Sequence, residues 1–130
     1  MPNTTDTEEI FAILEQVIAE RLQTAAPETS YVATLNTNAD AALKKIAEEA
    51  CEVILAAKSF DSAQDQEKTH TQTAHILQQK EALISESADL LFHLLIVLGQ
   101  RNITLESVAT ALKQRMGLSG LEEKRQRHQQ

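Results

Sequence analysis

Residues 84–98, ISESADLLFHLLIVL, constrain this chain more than any other stretch. They are its most apolar run, too long for a strand and free of Pro and Gly, and so read as helix. At roughly 100° per residue, Leu83, Leu90, Leu91, Leu94, Leu95, Val97 and Leu98 cover one broad side. Phe92 and Ile96 cover much of the other. A helix apolar nearly all round belongs in a core or an oligomer. Yet Glu86, Asp89 and His93 draw a polar stripe along it, at i, i+3 and i+7. Ionised carboxylates are costly there unless they are paired or bind a metal. What these two acids face is therefore the first question.

The surrounding chain is patterned as helix too. Over 7–26, Ile10, Leu14, Val17, Ile18, Leu22 and Ala25 recur at helical spacing. The 5–7 segment can cap this helix, Glu8 and Glu9 suit its first turn, and Pro27 stops it. Residues 28–37, β-branched and polar, read as an extended loop holding the only tyrosine, Tyr31. A second helix, capped by Asn36 or Asn38, runs to about Ser59 with Leu43, Ile46, Ala47, Ala50, Val53, Ile54 and Ala57 inward. Residues 60–79 break the pattern and read as a loop or a solvated helical extension. The third helix covers 81–101, with Asn102 as C-cap. Thr104 caps a fourth over 105–116, which Gly117 ends. Ser119 and Glu122 form a capping box for a short basic helix, expected to fray beyond Lys124. The class is all-α, four to five helices in a single domain over 1–130.

Composition narrows the setting. One cysteine, Cys51, excludes an internal disulfide and points to a reducing compartment. The N-terminus lacks the basic and apolar regions of a signal peptide, and no apolar run reaches the roughly 18 residues of a membrane span. The expectation is a cytoplasmic protein with no membrane partner. A net charge of −7 argues against nucleic acid. It does not exclude a phosphorylated small molecule, because a bound divalent cation inverts the local sign.

Helix two carries E-E-x-x-E (Glu48, Glu49, Glu52), and helix three E-x-x-D (Glu86, Asp89). With Glu48 at 0°, the apolar face of helix two centres near ~190°, while Glu49 falls at about 100° and Glu52 at about 40°. Glu49 therefore borders the apolar face. If the two helices pack antiparallel, up to five carboxylates converge in one cleft. So many like charges need a counter-charge. Oxygen-only ligands favour hard cations, Mg²⁺ or Mn²⁺ above all. The bland readings are a solvated acidic face on helix two, and for Glu86 and Asp89 a salt bridge to Lys44 or Lys45. A di-iron bundle site needs Glu-x-x-His on paired helices; the spacing here is wrong, and His70 and His75 fall on different faces.

These residues resemble the metal motif of the all-α, MazG-type nucleotide pyrophosphatases. Within that superfamily the surroundings resemble the phosphoribosyl-ATP pyrophosphatases of histidine biosynthesis. The matching pieces are Ser30-Tyr31, K-K-I-A-E-E-A-x-E from Lys44, E-S-A-D-L-L-F-H-L-L from Glu86, and S-G-L-E-E-K from Ser119. One departure is that Glu52 and Glu86 stand 34 positions apart (86 − 52), a longer link than is usual in the family. With helices two and three intact, a bulged loop or extended helix ends is expected. The resemblance implies a MazG-type bundle completed by homodimerisation, and hydrolysis of 1-(5-phosphoribosyl)-ATP to the AMP form and pyrophosphate. It also implies Mg²⁺ (or Mn²⁺) on Glu49, Glu52, Glu86 and Asp89, with Glu48 acting on the attacking water. Lys44, Lys45, Tyr31, His93, Arg115, Lys124 and Arg127 become the candidates for substrate contact. With no cyclohydrolase domain in the chain, the monofunctional form is expected. The rival readings are a MazG-type enzyme for dUTP, dCTP or a noncanonical NTP, and a non-catalytic helical dimerisation module.

Overall fold

The computed structural model describes residues 6–66, 70–116 and 120–129, the side chains of 70, 71 and 120–123 apart. Six helices follow one another: α1 (Thr7–Thr24), α2 (Tyr31–Leu35), α3 (Ala41–Asp65), α4 (His70–Gln100), α5 (Leu105–Arg115) and α6 (Gly120–His128). No strand occurs among the described residues, so the all-α expectation holds.

The long α3–α4 pair dominates the packing, with α1 laid against α4 and α2 against α1. The pair is antiparallel. Glu49 of α3 lies beside Glu86 and Asp89 of α4, while farther along α3 Leu55 to Gln66 shares a groove with His75 and Gln79. A small aliphatic core of Ile18, Val32, Leu35, Ala42, Leu95 and Ile96 joins α1, α2, α3 and α4. Gly99 lets α1 approach α4 closely: a Cβ there would sit 3.1 Å from Leu22 Cδ1 and 3.4 Å from Ile18 Cγ2.

Several boundaries differ from expectation, each for a local reason. Residues 28–37 are not an extended loop, because they contain α2. Ser30 Oγ accepts from Ala33 N at 3.3 Å, and Thr34 Oγ1 donates to the Pro27 and Ser30 carbonyls. Burial of Val32, Ala33 and Leu35 outweighs the weak helix preference of β-branched residues. Helix α3 starts at Ala41, later than an Asn36 or Asn38 cap implies. Asn38 instead accepts from the Asp40 N–H at 2.9 Å, leading the chain into the helix. The 60–79 segment extends both long helices, α3 to Asp65 and α4 back to His70, which is the extended-ends form of the longer link.

The C-terminus of α4 follows the sequence closely. Asn102 has φ 55°, Ile103 N donates to Leu98 O and Asn102 N to Gly99 O, so both trailing carbonyls are satisfied around a left-handed residue. Thr104 caps α5 through Ser107 N, and Glu15 Oε2 of α1 accepts from Leu105 N at 2.6 Å. The Gly117 stop and the Ser119 end of the expected capping box lie outside the described residues. Helix α6 does not fray after Lys124 but runs on to His128, a stretch free of Gly and Pro.

One sequence reading needs amending. Over Gln72–Gln100 a window of mean hydropathy 1.7 makes α4 long and apolar enough to cross a membrane, by length and composition alone. A window mean tolerates Glu86, Asp89 and the polar residues between them, which interrupt any continuous apolar run. The same helix carries Glu86 and Asp89 against α3. Carboxylates are among the costliest groups to place in a bilayer, and a core helix passes the same test.

Candidate active site

The antiparallel α3–α4 pair carries one acid pair into contact with one acid. Glu49, Glu86 and Asp89 each offer a carboxylate oxygen, and the three oxygens lie within 4.8 Å of one another. Glu49 is nearly buried (9% exposed), Glu86 is half-buried and Asp89 is exposed. This grading follows the helical wheel, on which Glu49 borders the apolar face of its helix while Glu48 and Glu52 stand farther out. Burial raises the Glu86 pKa above the ordinary carboxylate value, and the charges of Glu52, Asp89 and Glu49 raise it further. Glu52 thus belongs to the same electrostatic neighbourhood, though it is exposed and outside the close triad.

The counter-charge is Lys45. Its Nζ lies 3.1 Å from Glu48 Oε2 and 3.2 Å from Glu49 Oε1. Hydrogen bonds donated to Glu48 and then to Glu49 raise the lysine pKa, so it is charged at any physiological pH. One lysine therefore ties the α3 acids together. It does not pair with Glu86 or Asp89, the salt bridge considered for them from sequence. Lys44, one residue back, points elsewhere and lines a shallow surface depression with Asn38, Asp40 and Leu43.

The triad suits a small hard cation. Around Mg²⁺ at 2.0–2.1 Å, opposed oxygens are about 4.2 Å apart. Only one pair among three ligands can be opposed and neighbouring ones lie about 2.9 Å apart, so carboxylates within 4.8 Å of one another draw in by up to about 2 Å, a distance that side-chain rotation covers. The donors are all oxygen, and three of them leave positions for water or phosphate oxygens.

Beside the acids stands an aromatic cluster that the sequence only partly anticipates. His93 is 5% exposed and uses both ring nitrogens. Nδ1 lies 2.6 Å from the Asp89 backbone carbonyl, and Nε2 2.7 Å from Tyr31 Oη. A carbonyl only accepts, so Nδ1 carries a proton, and in that tautomer Nε2 is the acceptor for the Tyr31 O–H. Burial raises the Tyr31 pKa; the nearby charge of Lys45 opposes this, and those of Glu49, Glu48 and Asp89 add to it. The phenol therefore stays protonated and keeps donating. Phe92 completes the group, near-parallel to Tyr31 at 6.4 Å and edge-on to His93 at 5.4 Å. Sequence reasoning named Tyr31 and His93 but missed their link and missed Phe92; the two partners are 62 positions apart. The local signal was His93 itself, four residues after the Asp89 carbonyl it meets.

Arg115, Lys124 and Arg127 are exposed on α5 and α6, and among the described residues neither helix packs extensively on α3 or α4. The fold of one chain thus joins Glu48, Glu49, Glu86, Asp89, Lys45, Tyr31 and His93, with Glu52 at the margin, while Lys44 lines a separate depression.

Residues 11–116 match the protein family described as phosphoribosyl-ATP pyrophosphohydrolase. The chain is 40% identical over 126 residues to the phosphoribosyl-ATP pyrophosphatase of Nitrosomonas eutropha, covering 96% of this chain and 92% of that one. It is 39% identical over 130 residues to the protein of the same name from Bordetella parapertussis, covering 98% and 97%. It is also 39% identical over 119 residues to that from Zymomonas mobilis, covering 91% and 94%.

Proposed function

The chain belongs to the phosphoribosyl-ATP pyrophosphohydrolase family, and we propose that it hydrolyses 1-(5-phosphoribosyl)-ATP to 1-(5-phosphoribosyl)-AMP and pyrophosphate, a step of histidine biosynthesis. Relatives so named match over nearly their whole length, which favours this activity over dUTP or dCTP hydrolysis and over a non-catalytic module. The observation that carries the chemistry is the Glu49–Glu86–Asp89 triad. Glu49, Glu86 and Asp89, with Glu52 turning in, would hold Mg²⁺, or Mn²⁺ in its place. The cation, when bound, neutralises phosphate charge as pyrophosphate departs.

The protein's own groups divide the remaining work. Glu48, beside the ligands and exposed, orients the attacking water and takes its proton. Lys45 holds Glu48 and Glu49 in place through its two ion pairs and keeps a positive charge beside the leaving phosphates. Tyr31 and His93 line the site beside Asp89. Lys44, Arg115, Lys124 and Arg127 contact substrate only if the chain or its partner closes over the cleft.

That partner is a second copy. Leu77, Ile84, Leu91 and Leu94 of α4 are 56%, 52%, 44% and 38% exposed, and Ile54 and Leu55 of α3 about as open at 61% and 60%. The α4 residues recur at seven and then three positions, the spacing of a helix-packing seam. An uncovered seam of this kind calls for a partner helix. In this reading residues 1–130 act as one domain of a cytoplasmic homodimer, without nucleic-acid or membrane partners.

The test is pyrophosphate release from phosphoribosyl-ATP with and without Mg²⁺, beside ATP, dUTP and dCTP. Mg²⁺-dependent release from phosphoribosyl-ATP alone is expected. Release from dUTP or dCTP instead would overturn the substrate, and no release from any of the four would overturn the enzyme reading.

A further inference from the structure

Tyr31 stands out among the aromatic side chains by its combination of restraint and exposure. Its hydroxyl is fixed by a buried histidine, with Nε2 2.7 Å away, and that histidine is itself fixed on the Asp89 carbonyl at 2.6 Å. One face of the ring lies along Phe92, 17° from parallel, and His93 meets its edge at 86°. Even so, the residue is 49% exposed. A phenol tied down by three contacts while half its surface stays open is held for something outside the chain. A simple core tyrosine would bury the ring, and a simple surface tyrosine would not engage a buried histidine.

Its position is equally specific. The Asp89 carbonyl that anchors His93 belongs to a member of the acid triad, and Lys45, Glu49, Glu48 and Asp89 are near enough for their charges to act on the phenol. A rigid, open aromatic face therefore borders a site suited to a cation and phosphates. Flat apolar groups joined to phosphates are nucleobases, and every base presents a π-face that stacks on an aromatic ring.

We infer that the open face of Tyr31 is a stacking platform for the purine of the bound nucleotide, and that His93 and Phe92 are positioning residues that fix its angle. This deepens the nucleotide reading above and rests on it. His93 touches no substrate, since both its nitrogens are occupied within the chain; it acts through Tyr31, at the hydroxyl and at the ring edge.

The chain provides its own reporter. Tyr31 is the only tyrosine and there is no tryptophan, so tyrosine emission comes from this ring alone. The full-length protein is titrated with phosphoribosyl-AMP and Mg²⁺, and separately with inorganic pyrophosphate and Mg²⁺, correcting for nucleotide absorption against free tyrosine amide. The nucleotide is expected to quench emission and pyrophosphate to leave it unchanged. In steady-state assays Tyr31→Leu is expected to raise KM roughly tenfold, as loss of one base–aromatic stack does, with pyrophosphate inhibition unaltered. Tyr31→Phe, which keeps the ring and frees it from His93, is expected to raise KM about twofold to threefold. In the Tyr31→Phe background His93→Gln should raise KM by a smaller factor than in wild type, because the route through the hydroxyl is gone and only the ring-edge contact remains to be lost.

Equal quenching by pyrophosphate, or a Tyr31→Leu variant whose KM stays within twofold of wild type, would overturn the platform while leaving the hydrolase standing. If the wild-type chain releases no pyrophosphate from phosphoribosyl-ATP, the activity falls, and the nucleotide titration still decides the platform.

Discussion

Replacing Glu49 by Gln separates a metal ligand from a structural ion pair. The carboxylate has one favourable partner, Lys45 at 3.2 Å, and two unfavourable ones, Glu86 and Asp89. Lys45 keeps its bond to Glu48 at 3.1 Å in the variant, so the cation is not stranded. The amide can still accept from it. Loss of one ion pair in a partly wet setting costs about 0–1 kcal/mol, and relief of two like-charge contacts returns a similar amount. The apo stability should therefore stay within about 1 kcal/mol of wild type or rise, a Tm change of no more than about 4 °C for a domain of this size. Metal reverses the comparison. At a hundredfold excess over its dissociation constant, a cation that binds only the folded state adds about 2.7 kcal/mol, near 10 °C on the same scale. Wild type should gain this increment in Mg²⁺ and Glu49→Gln should lose most of it. Loss of a direct ligand should also lower turnover at least about 100-fold, since even outer-sphere partners of metal ligands cost 10- to 100-fold. Scanning calorimetry with and without Mg²⁺, beside pyrophosphate release, reads all three. A drop of more than about 8 °C in the metal-free variant would refute the reasoning and make the Lys45–Glu49 pair a structural bond.

The Glu86 pKa is raised in the folded protein, so the folded state binds its proton more tightly than the unfolded chain. Stability from this group is present at low pH and is lost as pH rises through the window above the ordinary carboxylate value; the apo Tm of wild type should accordingly gain relative to Glu86→Gln as pH is lowered from 7 towards 5, while Mg²⁺ affinity falls, by calorimetry at each pH. Ser30→Ala removes the α2 cap and should cost about 1 kcal/mol, measured by urea denaturation, with KM rising because Tyr31 is the next residue. Charges placed in the open seam by Leu77→Glu and Ile84→Glu should give a monomer by sedimentation; an unchanged dimer would place the interface elsewhere.

How far the sequence reached depended on the range of the interaction. The long helices, the Asn102 turn and the Thr104 cap are encoded within a few residues and read correctly. The helical wheel singled out Glu49 as the acid bordering the apolar face, and it is the buried one. Helix α2 was missed because Val32 and Thr34 disfavour a helix in isolation, and what stabilises it, burial against α1 and α4, is tertiary. Lys45 stands three and four residues before Glu48 and Glu49, both facing spacings on a helix, whereas Lys44 stands four and five before them, so this pairing is local to α3 and open to helical spacing alone. The Tyr31–His93 bond and the Glu15–Leu105 cap span 62 and 90 positions, beyond any periodicity.

The central claim is that the α3–α4 acids form a metal centre. The direct measurement is anomalous scattering from crystals grown with Mn²⁺, in wild type and in Asp89→Asn. The account predicts one or more peaks bounded by oxygens of Glu49, Glu86 and Asp89 at about 2.1–2.2 Å, weakened or absent in the variant. Active crystals with manganese bound elsewhere, and none between these three carboxylates, would contradict it.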